Sequence, residues 1–369
     1  MTHDPQSAKQ KLDHKPKENR YRKIERLFPV FMVIAIIAIP LSIVLAITIG
    51  AVHISFINSF RILIDQMTGH PDRSFSAAYD AIIWQARVPR ILMAAVVGAG
   101  LAMCGAVMQA SVQNPLADPY IIGTSAGATL GATFVILLGL GGITWVQGIS
   151  VPVGAFVGAM GASFLVLAIA NTGGKMTSVK LVLSGVVLGM ICSSFSQLIY
   201  TWKPNDEGMR AVSYWLMGSL APINWTSFDF RPILILVAIL FFLSQGRIMN
   251  VMMLGDEAAA TLGIDLTKYR LVYMIVASLL VGIIVTICGL VGYVGLIIPH
   301  IARGLVGTDH RKMLPLSICL GAVFLIWCDV AARSILVGSE LPLGLITSII
   351  GAPILMYRIV KQGFGSTDK

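Results

Sequence analysis

Acidic residues are scarce in this chain. It holds 18 Asp and Glu in 369 residues, and charged residues of both signs reach only 12%. A soluble globular domain carries about 25% charged residues, so a water-facing shell around a chain of this length is excluded. Cysteine is sparse too. Cys104, Cys192, Cys288, Cys319 and Cys328 fall inside apolar blocks, with no C-x-x-C spacing. That leaves no disulfide framework and no zinc-ligand pattern, and reads them as small packing residues. Walker A, H-E-x-x-H and G-x-S-x-G patterns are missing, so no nucleotide-binding, zinc-protease or hydrolase chemistry is written here. No series of Asp, Glu or His runs through the apolar blocks, which argues against a proton-coupled pump. The expectation is a chain without catalytic residues, metal or cofactor.

What abounds is apolar. Residues of type AVILMFWYC make up 56% of the chain, and mean hydropathy is +0.82. Between Arg26 and Lys361 these residues form blocks of about 20, the length that crosses a bilayer core as helix. Blocks at 27–50, 89–111, 120–140, 145–170, 179–201, 232–245, 269–290, 313–336 and 343–360 predict spanning helices. A tenth, 295–304, is too short to face lipid along its length, and 212–220 is a further short apolar segment. Such pieces are tolerated at membrane depth only when packed in protein or lining a cavity. The fold class is therefore all-α: a polytopic transmembrane helical bundle of about ten spans, with the permease domain at 27–361.

Charge orients it. The first 26 residues contain eight Lys and Arg, and basic residues stay on the cytoplasmic side. With ten crossings both termini are cytoplasmic, and 19 of the 27 Lys and Arg fall in inner segments. The tail 1–26 is too long in its charged part for a signal peptide. It reads as a disordered basic tail suited to the anionic inner leaflet, and a short tail at 362–369 closes the chain. The net charge of +9 is read as topogenic and not as a nucleic-acid footprint.

Glycine is plentiful at 36 residues. Gly154 and Gly158 form G-x-x-x-G, and Gly98, Gly105, Gly123, Gly127 and Gly131 crowd the second and third spans. Small residues allow close helix approach where lipid supplies no hydrophobic drive. Asp329 is the carboxylate deepest in an apolar block. Arg333 stands four residues on, on the same helix face, so a structural ion pair is expected over a proton relay. In the inner segment 249–264, Asp256 and Glu257 open a short helical run suited to the positive helix end. Ala258, Ala259 and Leu262 continue it and Gly263 stops it. An Ala-rich helix there either lies on the bilayer or plugs into a cytoplasmic partner.

A set of longer motifs settles that choice by resemblance. RVPR at 87–90, GAVMQ at 105–109, NPLADP at 114–119, IGTSAG at 122–127, WLMGSL at 215–220, LGDEAAATLG at 254–263, GYVGLIIPHIAR at 292–303 and LPLGLITSIIGAP at 341–353 occur in this order. The chain thereby resembles the FecCD-type permease subunits of ATP-binding-cassette (ABC) importers for iron siderophores, haem and cobalamin, with a vitamin B12 permease-like bundle. The tail and the outer loop 51–86 lie outside the recognisable pattern.

The resemblance implies a homodimer in the inner membrane, two copies of an ABC ATPase subunit on the cytoplasmic face and an extracytoplasmic substrate-binding protein. It implies coupling helices at Leu254, Gly255, Asp256, Glu257, Ala258, Ala259, Leu262 and Gly263. It also implies docking of the binding protein through Arg87, Arg90 and Arg333, and a cytoplasmic gate at Asn114, Leu116, Thr177 and Ser178. Apart from the resemblance, the arginines read as snorkelling side chains, and Asn114-Pro115 as a helix stop. His300 belongs to a motif present whatever the substrate, so a structural role is expected over haem ligation. The expected cargo is a metal chelate, a ferric siderophore first and cobalamin or haem next. The rival expectation is an ion-gradient-driven secondary transporter.

Overall fold

The computed structural model describes residues 5–50, 52, 54–68, 77–138, 150–173, 176–202, 204–336 and 338–362. The start of the expected span at 145–170 and most of the closing tail lie outside these residues. In chain order the helices are α1 (Pro5–Thr48), α2 (Phe56–Thr68), α3 (Ala77–Asp80), α4 (Val88–Val112), α5 (Thr124–Thr133), α6 (Val151–Ala170) and α7 (Ser178–Trp202). They continue with α8 (Asp206–Leu216), α9 (Arg231–Ser244), α10 (Gly246–Met252), α11 (Asp256–Thr261), α12 (Leu266–Cys288), α13 (Val294–Val306), α14 (His310–Ser334) and α15 (Leu343–Gln362). Local chemistry sets many of the starts. Proline occupies the first turn of α4, α6 and α9, where its missing N–H costs nothing. Asn205, Asp265 and Asp309 accept backbone N–H bonds as N-caps of α8, α12 and α14, as short polar side chains do there.

Six helices are long and apolar enough to cross a membrane, and α9 with α10, bent by 61°, makes a seventh. Three shorter apolar helices, Thr124–Leu138, Val294–Val306 and Leu343–Tyr357, bring the described set to the ten expected. The bundle is thus the expected all-α transmembrane architecture. Several boundaries differ from the block reading. α1 begins at Pro5, so helix runs through the stretch whose polarity predicts disorder; its Lys, Gln, Arg and Ala are good helix formers. The second span starts earlier, because a π-helical turn at Ala81–Arg87 joins α3 to α4. The third starts later, because Gly123 takes a left-handed φ of 79° to cap α5.

Burial separates interior from periphery. The best apolar window of the α4 span is 83% buried, against 22% for α1 and 28% for α7. α4 is the central post, packed by α9, α12, α13 and α14. Glycine makes this possible: a Cβ at Gly98 would overlap the Gly321 carbonyl of α14, and one at Gly105 the Gly295 carbonyl of α13. Likewise, Gly127 and Gly131 of α5 press against Gly158 and Gly154 of α6. Of the two short pieces expected inside, 295–304 is buried, whereas 212–220 is only partly so, with Ser213, Tyr214 and Met217 exposed. α13 buries Val294, Ile297, Ile298 and Ala302. The turn after α8 is pinned by Ser219 N–H to the Cys288 carbonyl at 2.9 Å and by Leu343 N–H to the Gly218 carbonyl at 2.9 Å. The five cysteines are free and buried.

Candidate functional site

At one end of the bundle α4 stops abruptly. Gln113 adopts a left-handed φ of 55°, uncommon for a side chain with a Cβ, and its amide donates to the Met252 carbonyl at 2.6 Å. Asn114 follows, and its side chain accepts the Leu116 N–H at 2.9 Å. Asn114 and Ser178 line one open groove of about 420 Å³, together with Val112, Pro115, Val179 and Val182. Leu116 is 47% exposed. Thr177 is exposed, and its carbonyl accepts the Leu181 N–H as α7 begins. The structure therefore brings the chain stops that carry the four predicted gate residues to the same end, with two of the four side chains in one groove.

The predicted coupling segment sits at that end. α10 is tied to the N-terminus of α14: Asn250 donates to the Asp309 carboxylate at 2.7 Å and accepts the His310 N–H at 2.8 Å. Asp256 opens α11, and its carboxylate takes Nη2 of Arg270 at 2.9 Å. Arg270, from the first turns of α12, also donates to the Ser111 carbonyl at 2.9 Å and the Met176 carbonyl at 2.7 Å. The eight predicted coupling residues divide by burial. Leu254 and Leu262 are 63% and 60% exposed, and neighbouring Met253 is exposed as well, whereas Ala259 is fully buried. Met253, Leu254 and Leu262 are thus the exposed apolar side chains of this segment, and Ala259 is its buried one. Sequence reading counted Arg270 only as a basic residue of an inner segment. Its partners lie 14, 94 and 159 residues away, and no local pattern marks such contacts.

At the opposite end the three predicted docking arginines converge, and each is already engaged. Arg87 donates from Nη1 to the Ile47 carbonyl at 2.7 Å and from Nη2 to the Val52 carbonyl, and Arg333 donates to the Ala46 carbonyl at 2.6 Å. Ala46 and Ile47 lie in the last turn of α1, whose carbonyls lack helical partners and attract cations. Arg90 bonds Asp329 at 2.7 Å and Glu340 at 2.9 Å. All three arginines are buried, while the Glu340 side chain is 43% exposed. Asp329 is fully buried, and its nearer partner is Arg90; Arg333, the partner expected from spacing, stands at 3.4 Å. The expected pair with Arg333 is present, but the shorter bond is the one that bridges α4 to α14.

Elsewhere an apolar cleft of about 820 Å³ opens between α6, α9 and α12, lined by Phe156, Leu234 and Ile283 among others. It holds none of the predicted site residues. Among the described residues no group of three His, Cys, Asp or Glu is placed to hold a metal ion.

The FecCD transport family matches residues 36–361. The ABC transporter permease protein YvrB of Bacillus subtilis, itself uncharacterised, is 37% identical over 88% of this chain and 91% of its own length. The vitamin B12 import system permease protein BtuC of Escherichia coli O127:H6 is 36% identical over 79% of this chain and 88% of its own. A solved chain assigned to the metal-chelate type of ABC transporter, in an inward-facing conformation, superposes with a TM-score of 0.75 at 30% identity, covering 90% of this chain and all of that one. With a match spanning the bundle from the first membrane helix into the last, the chain belongs to the FecCD transport family and is a multi-pass ABC transporter permease.

Proposed function

We propose that the chain is half of a homodimeric importer in the inner membrane, moving a metal chelate into the cytoplasm on ATP hydrolysis by a separate subunit. The observation that carries this reading is the apolar knob at Leu254 and Leu262, exposed yet anchored through Asp256 and Arg270 beside the groove of Asn114 and Ser178. Both termini and this knob then face the cytoplasm, as the basic inner segments favour. Two ATPase subunits clasp the knobs, and the gate residues narrow the path next to them. The lightly buried α7, with Leu183, Val187, Met190 and Phe195 exposed, offers an apolar face to the second copy alongside the groove. A ferric siderophore is the first candidate cargo, followed by cobalamin, the cargo named for the relative BtuC, and haem. A preformed chelate needs no metal ligands from the pore.

On the outer face the binding protein docks over the arginine cluster. Glu340 is the half-exposed carboxylate that a docking acid would displace from Arg90, since a guanidinium accepts either in the same fork geometry. An ion-gradient mechanism would need an available intramembrane acid, and Asp329 is held by two guanidinium groups.

The test is a pair of substitutions in the coupling segment. Leu262→Asp should leave thermal unfolding of the purified chain unchanged and abolish copurification of the ATPase subunit. Ala259→Asp, which buries a charge, should lower the unfolding temperature as well. Normal ATPase copurification with Leu262→Asp would count against the coupling assignment.

A further inference from the structure

We propose that Arg270 is a positioning residue that bolts the ATPase-facing helix to the gate, so that α11 and the two chain stops at the groove move as one body. The inference rests on reading α11 as the coupling segment. Arg270 is 1% exposed, and its single planar guanidinium reaches three separate chain segments. Nε holds the Ser111 carbonyl, three residues before Asn114; Nη1 holds the Met176 carbonyl, immediately before Thr177; Nη2 holds the carboxylate of Asp256, the first residue of α11. The fork has fixed donor geometry, so a displacement of one arm shifts the others. Gln113 adds a parallel strut from the end of α4 to the Met252 carbonyl of α10.

Each of these arms has a stabilising role. The Ser111 carbonyl, at the end of α4, lacks a helical partner and favours a cation, and buried Met176, just before α7, gains a donor for its carbonyl. The Asp256 arm also neutralises a guanidinium that is itself only 1% exposed, so its loss would strand a buried charge. What the Asp256 arm adds beyond this is connection: it is the one direct polar link among those described between the coupling helix and the carbonyls flanking the gate. If each end of the link had two arrangements, a ligand at the ATPase would bias the gate through it, as coupling between distant sites requires.

The experiment measures whether the unit is rigid. Spin labels are placed at Leu116 and Ala260, both exposed, in one subunit of a dimer assembled with unlabelled full-length chain, so that a single intramolecular pair is read; the described native cysteines are buried. Their distance distribution is recorded by pulsed electron resonance for the chain alone and for its complex with the ATPase subunit, with and without ATP and vanadate. The wild type should show one narrow peak at the same distance in every state. Asp256→Asn should broaden the peak in the chain alone and let it shift with nucleotide in the complex; Arg270→Lys should do the same, and Asp256→Glu should restore the wild-type profile. A wild-type peak that shifts with nucleotide, or Asp256→Asn and Arg270→Lys profiles identical to wild type, overturns the inference while leaving the coupling assignment standing. Failure of the wild-type chain to bind the ATPase subunit removes the assignment itself, and this inference with it.

Discussion

At the scale of single residues, Asp329 is a fully buried charge held by Arg90 and Arg333. Breaking such a pair from one side strands a charge, at about 3–5 kcal/mol. Arg90→Ala should therefore lower the unfolding temperature in detergent markedly. Arg90→Ala combined with Asp329→Asn should cost much less than the sum of the two, as a double-mutant cycle would show. The distinction bears on docking: a loss of binding-protein affinity in Arg90→Ala carries weight only beside an intact fold. Glu340→Gln is the cleaner probe, since Glu340 sits at the rim.

Asp309, outside the spans, gives a pH signature. Burial pushes its carboxyl up, but the Asn250 amide, the Arg311 N–H and the charges of Lys312 and Arg311 outweigh this and hold it below the usual range. A depressed carboxylate stabilises the fold at neutral pH, and that contribution is lost as pH falls through its folded value. Asp309→Asn retains a capping side chain and removes the charge. Its stability deficit against wild type should be present at pH 7 and shrink toward zero on acidification below about pH 4; a constant deficit would assign the effect to geometry.

At the scale of elements, the ten apolar segments were legible because lipid forces each span to satisfy its backbone internally. The short span 295–304 was rightly placed inside by its length alone, and α13 is buried on much of its surface. The lengthened start of the second span was not legible. The segment before Arg87 is mixed in polarity, and a π-helical turn leaves no periodic mark. Glycine crowding was visible as packing, but not which glycines meet. Gly98 and Gly321 are 223 positions apart in the chain, and only the fold shows that a Cβ on either overlaps the other's carbonyl. Gly98→Ala should destabilise by about 1–3 kcal/mol through forced backbone shifts. Gly161→Ala, with open space around its Cβ position, should be neutral or slightly stabilising by thermal shift.

The functional residues divide along the same line. Asn114, Asp256 and Arg87 stand in short motifs and could be singled out. The work assigned to them is long-range: Asp256 acts through Arg270 on Ser111 and Met176, and Arg87 closes the end of α1. Asp329 was paired with Arg333 because a four-residue spacing is visible in a helix, whereas Arg90, 239 residues away, becomes its neighbour only through the contact of α4 with α14.

At the scale of the whole molecule, the two ends of the bundle have different chemistry. One is closed by three buried arginines and capped by Glu340. The other carries an exposed apolar knob tied to a groove. A central post packed through glycine joins them. This asymmetry suits a permease that receives cargo at one end and force at the other, with no energy-converting group of its own. The most direct measurement is uptake of cyanocobalamin and of ferric siderophores into proteoliposomes. The permease alone under proton or sodium gradients should accumulate nothing, and the permease with its ATPase subunit, binding protein and ATP should accumulate one of these chelates. Gradient-driven uptake by the permease alone, or ATP-independent accumulation by the full assembly, would contradict the account.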